Sequence, residues 1–196
     1  MTVTPLTHDM LDDIRRAISV LRQGGVILYP TDTVWGIGCD ATLPEAVERV
    51  YHIKQRADAK ALITLVDSEA KIEAYVADVP PVAWDLIDCA TRPLTLIYDH
   101  PRYLASNLLA SDGSAALRIT REPFSRQLCM QLRRPLVSTS ANLSGQPTPA
   151  TFADISPEII DAVDYVCTSR RTDTTPHQPS TIIKLGDGGV FRIIRP

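Results

Sequence analysis

The chain has 196 residues, 44% of them apolar, and a formal net charge of −3. That length is enough to bury a core of its own, and the acidic balance argues against coating nucleic acid by bulk electrostatics, though a local basic groove is still allowed. No apolar run approaches the roughly 20 residues that cross a bilayer, and the start lacks a basic segment followed by an apolar one, so a soluble, cytoplasmic protein without membrane partners is expected.

In chain order, Thr7 is placed to cap a helix whose apolar residues Met10, Leu11, Ile14, Ile18 and Leu21 recur at helical spacing, with Gly24-Gly25 as its stop. Val26 to Tyr29 then read as a buried strand, ended by Pro30, which cannot donate to a ladder. Thr31, Asp32 and Thr33 follow at the strand's carboxyl end, where open α/β sheets commonly bind ligands, and Gly36 and Gly38 permit close backbone approach. A polar turn with packing glycines is the plain structural alternative. Thr42 and Pro44 start a second helix through Ile53, which leaves Lys54 and Arg56 at its end.

Ala61 to Val66 form the next expected strand. Helical patterns at about 68 to 76 and 80 to 90 precede a strand over Pro93 to Tyr98, and a short helix is expected from Pro101 to Leu109. Ser114 to Ile119 read as a strand, Pro123 to Leu132 as a helix and Pro135 to Ser138 as a strand. The alternation predicts an α/β fold, one twisted mixed sheet with helices on its faces, and the Asp112-Gly113 turn and a closing hairpin at Gly186 to Gly189 call for some antiparallel pairing. Neither a linker nor an internal repeat is visible, so residues 1 to 196 are expected to form a single domain.

The strand at Pro135 runs into a second polar cluster, Ser138-Thr139-Ser140-Ala141-Asn142-Leu143-Ser144-Gly145. Such small donors suit an anionic or zwitterionic ligand, and they also suit a turn. Sixteen of the 20 basic residues are arginines, apt for planar contacts with phosphate and carboxylate, although composition alone also produces such a bias. Cys39, Cys89, Cys129 and Cys167 are too dispersed for a metal knuckle or a disulfide framework and are expected to be free, buried thiols. Trp35 fits an adenine pocket or the core equally well, His52 reads as a packing or surface residue, and His177 lies in a long polar loop before Ser180.

Three stretches carry a specific resemblance: Tyr29-Pro30-Thr31-Asp32-Thr33-Val34-Trp35-Gly36, Ile53-Lys54-Gln55-Arg56, and Ser138 to Gly145. They resemble the PTDT, KxR and SxN features of the YrdC-like (TsaC) family of threonylcarbamoyl-AMP synthases, and the likeness runs in order from about Gly24 through Arg118 and Pro179-Ser180-Thr181 to Arg195-Pro196. It implies the short, single-domain form and a YrdC-like twisted open sheet. It also implies an enzyme, a nucleotidyltransferase that joins L-threonine, bicarbonate and ATP into threonylcarbamoyl-AMP and pyrophosphate, with Mg2+ accompanying the ATP. The product serves threonylcarbamoyladenosine (t6A) formation in tRNA, which makes tRNA and the transfer machinery possible partners.

By the same resemblance, Lys54 and Arg56 are the catalytic candidates, neutralising charge on the phosphates. Thr31, Thr33, Thr64 and Ser140 are the substrate-binding candidates, and Lys54, Arg56, Arg118, Ser138, Ser140, Asn142, Ser180 and Arg195 are placed on the ATP side. No residue stands out as a general base, so catalysis is expected to rest on positioning and electrostatics. The sequence departs from the family pattern at Ala57 and Ala61, where prolines are usual, and at Ala90-Thr91-Arg92-Pro93, where a proline-glycine-proline turn is usual. Two other functions compete: a non-catalytic YrdC-like module for RNA binding or ribosome maturation, and a paralogue that handles a related carbamoyl-adenylate.

Overall fold

The computed structural model describes residues 6–55, 62–175 and 177–196. Helix α1, His8–Arg22, begins where Thr7 accepts a hydrogen bond from the Met10 amide and buries Ile14, Ala17, Ile18 and Leu21 along one face. β1, Ile27–Tyr29, is fully buried, as a strand covered on both faces must be. Gly36–Gly38, read from the sequence as part of a loop, is instead strand β2, antiparallel to β1. A Cβ at Gly38 would lie 2.5 Å from the Val137 carbonyl oxygen and 2.6 Å from Tyr29 Cε1, so the close approach that requires glycine there is to the sheet itself.

α2, Pro44–Ile53, starts on its proline with Leu43 at the N-cap. Thr42 turns back instead, its amide and hydroxyl both donating to Asp40. β3, Ile63–Val66, α3, Glu69–Tyr75, α4, Val82–Cys89, and β4, Leu94–Tyr98, follow within a residue or two of the expected bounds. The helix expected from Pro101 to Leu109 shrinks to a 3-10 turn at Ser106–Leu108. His100 and Tyr103 adopt left-handed φ, Pro101 bridges Val76, and the Ala105 amide donates to Ala41, so the segment is pulled extended across other elements.

β5, Ala115–Ile119, α5, Pro123–Leu132, and β6, Leu136–Ser140, complete the middle of the chain, with Glu122 capping α5 through bonds from the Phe124 and Ser125 amides. α6, Pro157–Ala162, and β7, Tyr165–Val166, have no counterpart in the sequence reading. β8, Thr181–Leu185, and β9, Phe191–Arg195, form the closing hairpin. Among the described residues nine strands make one open mixed sheet in the order β7-β1-β2-β6-β3-β5-β4-β8-β9, and two apolar clusters pack against it. Cys39, Cys129 and Cys167 are free and buried, but Cys89 is exposed at the end of α4. No described helix is long and apolar enough to span a membrane.

Candidate active site

The order β1-β2-β6-β3 brings two chain-distant polar segments together, because β6 pairs with β2 on one side and β3 on the other. In that register Gly36 sits opposite Ser140 and Ile63 opposite Ser138. A cavity of about 230 Å³ opens here, lined by Thr33, Arg118, Ser138, Ser140, Ser180 and Arg195 among others. A Cβ on Gly36 would come within 3.3 Å of both Ser138 Oγ and Thr31 Cγ2, so any side chain there would crowd the wall.

The Thr31–Thr33 turn organises itself through hydroxyls. Thr31 Oγ1 accepts from the Thr33 amide at 3.0 Å, donates to the Val34 carbonyl at 2.7 Å and lies 3.1 Å from Thr33 Oγ1. Both threonines are buried, and Thr33 presents its hydroxyl 3.5 Å from Arg118 Nη2. Arg118 is only 3% exposed, although its position in β5 admits a strand-edge charge by sequence alone. Its Nη2 stands 2.9 Å from Asp32 Oδ1, an ion pair without the alignment of a hydrogen bond, since that oxygen has no hydrogen-bond partner among the described residues; neither has Arg118 Nε. Burial pushes the Asp32 carboxyl above the usual carboxylate range, and Arg118 pulls it only part of the way back.

Across the cavity, Arg195 Nε donates to the Ser180 carbonyl at 2.9 Å. Its Nη2 reaches Ser180 Oγ at 3.3 Å, and that hydroxyl is 2.8 Å from Thr95 Oγ1. Burial, and next the like charge of Arg118, lower the Arg195 pKa. Two guanidiniums therefore face one small cavity, an arrangement that favours an anion between them.

Lys54 lies behind the opposite lip. It is buried, and its Nζ donates to the carbonyls of Ser140 at 2.6 Å and Asn142 at 2.7 Å, while the Ser144 amide donates to the Lys54 carbonyl. Ser140 Oγ donates to Asn142 Oδ1, and Asn142 Nδ2 donates to the carbonyls of Leu143 and Gln146. The end of α2 thus holds the polar cluster after β6 in a fixed loop. Thr64 stands apart: it is fully buried within β3, outside the cavity lining, and its hydroxyl has no hydrogen-bond partner among the described residues. Arg56, with Ala57 and Ala61, lies outside the described residues.

Of the residues singled out by sequence, Thr33, Arg118, Ser138, Ser140, Ser180 and Arg195 line the cavity, and Thr31, Lys54 and Asn142 brace its walls. Sequence reasoning passed over Asp32 as a partner of Arg118, although it stands inside the quoted motif. It also passed over Thr148 in the lining and Arg170 behind Thr31, for which no local pattern gives a signal. Trp35 packs on Phe152 at 4.8 Å between ring centroids, in the core and outside this lining.

Fold and site together define an open-sheet α/β protein with a polar, cationic cavity at its strand ends. Residues 19–196 match the Sua5/YciO/YrdC family model, described as telomere recombination, and the chain belongs to that family. It is 37% identical over 182 residues to a threonylcarbamoyl-AMP synthase of Pseudoalteromonas translucida, covering 91% of this chain and 96% of that one. Among solved structures, E. coli YciO superposes with a TM-score of 0.81 at 26% identity, over 96% of this chain and 89% of that chain. P. abyssi Sua5 superposes with a TM-score of 0.83 at 25% identity, over 93% of this chain, which spans only 56% of that longer protein.

Proposed function

We propose that the chain is a threonylcarbamoyl-AMP synthase, a nucleotidyltransferase that makes threonylcarbamoyl-AMP and pyrophosphate from L-threonine, bicarbonate and ATP for t6A formation in tRNA. The observation that carries this reading is the convergence of Thr33, Arg118, Ser138, Ser140, Ser180 and Arg195 on one cavity, in a chain with a curated synthase relative over nine-tenths of its length. A cytoplasmic location belongs to the same reading.

The chemistry asks for binding and charge control more than for proton transfer. The neutral amine of threonine forms a bond to the bicarbonate carbon with loss of water. The resulting carbamate oxygen then attacks the α-phosphorus, and the bond to the β-phosphate oxygen breaks to release pyrophosphate. Negative charge grows on the bridging and equatorial oxygens, and donors fixed beforehand stabilise it without reorganising. Arg118 and Arg195 supply charge, Ser138 and Ser180 supply short hydroxyls, Ser140 lines the wall with its own proton committed to Asn142, and Thr33 fills the wall beside Arg118. Lys54 holds the lip through Ser140 and Asn142 and adds a buried positive charge behind it, and Arg56 is assigned to the phosphates by its place in the KxR element.

Among the described residues no group of three acidic, histidine or cysteine side chains is placed to hold a metal. Mg2+ fits this reading as part of the MgATP substrate, bound by phosphate oxygens and water.

The test is pyrophosphate release from ATP, with threonine and bicarbonate supplied together and then withheld one at a time. Release that requires both is expected. Binding of tRNA without turnover would replace this reading with the RNA-binding module, and release driven by carbamoyl phosphate would replace it with the related carbamoyl-adenylate chemistry.

A further inference from the structure

The segment after β7 returns to the cavity at Pro179 and Ser180, and one side chain fastens it to the opposite wall. Arg170, in the left-handed region at φ 61°, is followed by Arg171, whose guanidinium donates to the carbonyls of Cys167 and Val166 and so pins the end of β7. Arg170 points the other way. Its Nη1 donates to the Thr31 carbonyl at 3.0 Å and lies 3.3 Å from Glu122 Oε1. Its Nε and Nη2 donate to Asp173 Oδ2 at 3.2 and 2.8 Å, and Nη2 also lies 3.0 Å from His177 Nε2. Glu122 is itself fixed as the cap of α5, so Thr31 is tied through Arg170 to a helix end and to the loop that leads to Ser180.

We infer that Arg170 is a positioning residue that fixes the Thr31–Thr33 hydroxyls relative to Arg118, where the family resemblance puts substrate-binding residues; the catalytic half of this inference rests on the proposed function and on threonine being the substrate bound there. The physical argument is that Thr31 shapes Thr33 only through two short contacts inside one turn, and a turn of that size is not rigid alone. A guanidinium is suited to the task because its planar fork reaches a carbonyl and two carboxylates at once, which a lysine ammonium cannot do in the same geometry. Arg170 is outside the lining of the 230 Å³ cavity and lines a small adjoining pocket with Thr31 and Thr33, and its bond toward the turn is to the Thr31 carbonyl.

The test has an arm that needs no turnover. In Arg170→Ala, amide hydrogen exchange over residues 31 to 34 is expected to accelerate about tenfold while α4 keeps its protection. In the pyrophosphate assay the same variant is expected to raise the KM for threonine about tenfold and to leave the KM for ATP within about twofold, and Arg170→Lys is expected not to restore either readout. Unchanged protection at residues 31 to 34, an unchanged threonine KM, protection lost equally in α4, or full rescue by lysine would each overturn the inference. A wild-type protein whose pyrophosphate release ignores threonine would sink the proposed function, and the exchange arm would still decide whether Arg170 holds the turn.

Discussion

Asp13 and Asp32 are both acids withdrawn from water, and the fold treats them in opposite ways. Asp13, 2% exposed on α1, accepts from Tyr165 Oη at 2.7 Å, from the Thr168 amide with both oxygens and from the Ser169 amide at 2.7 Å. Burial alone would raise its pKa, but those bonds outweigh it and hold the carboxyl below its ordinary value. Asp32 has a guanidinium beside it and an oxygen without a hydrogen bond among the described residues, and there burial wins. A carboxylate whose lone pairs are filled by backbone amides is a strut, here closing the chain after β7 onto α1. A carboxylate left short of donors next to a buried arginine at a cavity wall sets charge and aim, which is the signature of a site.

The contrast fails first, if it fails, at Arg118. Arg118→Ala removes a donor facing the cavity and is expected to lower pyrophosphate release by about 10² to 10³-fold, measured at saturating substrates on protein whose circular dichroism is native-like. Turnover within about twofold of wild type would move the site away from β5. Asp13→Ala is the counterpart on the structural side. It strands the Thr168 and Ser169 amides and the Tyr165 hydroxyl, and should cost about 3 kcal/mol in urea denaturation while leaving turnover of the folded protein intact. Lys54→Met comes next, removing the ammonium that gathers the Ser140 and Asn142 carbonyls; a loss of about 2 kcal/mol in stability together with a fall in turnover would sharpen the view that α2 sets the lip. A loss of stability with unaltered turnover would reduce Lys54 to a strut like Asp13.

How far the sequence shows this division depends on the range of the interaction. Helix periodicity and the Thr7 cap are local, and α1, α4 and α5 follow from them closely. The two polar clusters at strand ends were visible because both are written contiguously. Their meeting was not, since it depends on β6 inserting between β2 and β3, a pairing decided by the whole sheet. β2 was hidden because its glycines read as a loop until the facing Tyr29 and Val137 supply the reason for them. Arg118 and Arg195 are ambiguous in one dimension, where a strand-edge charge, a frayed end and a buried guanidinium look alike. Arg170 gave no signal, because its partners Thr31 and Glu122 are far from it in the chain.

The smallest expected effect is also the one that separates the two aspartates most cleanly, because it turns on the sign of a pH dependence. Asp13 has a lowered pKa when folded, so its contribution to stability is present above the ordinary carboxylate value of 3.8 and is lost as pH falls through the folded value. The stability gap between wild type and Asp13→Asn should therefore be widest near neutrality and close on acidification. Asp32 has a raised pKa, so the sign reverses: its contribution is present below 3.8 and is lost as pH rises through the folded value. Asp32→Asn keeps the side chain's shape and removes its titration, so wild type should gain on the variant as pH is lowered, by about 1 kcal/mol or less. Thermal melts of both variants between pH 3 and 7 give the two slopes directly. Parallel slopes would mean that Arg118 satisfies Asp32 as fully as the backbone satisfies Asp13, and the charge balance at the cavity wall would then be structural in origin.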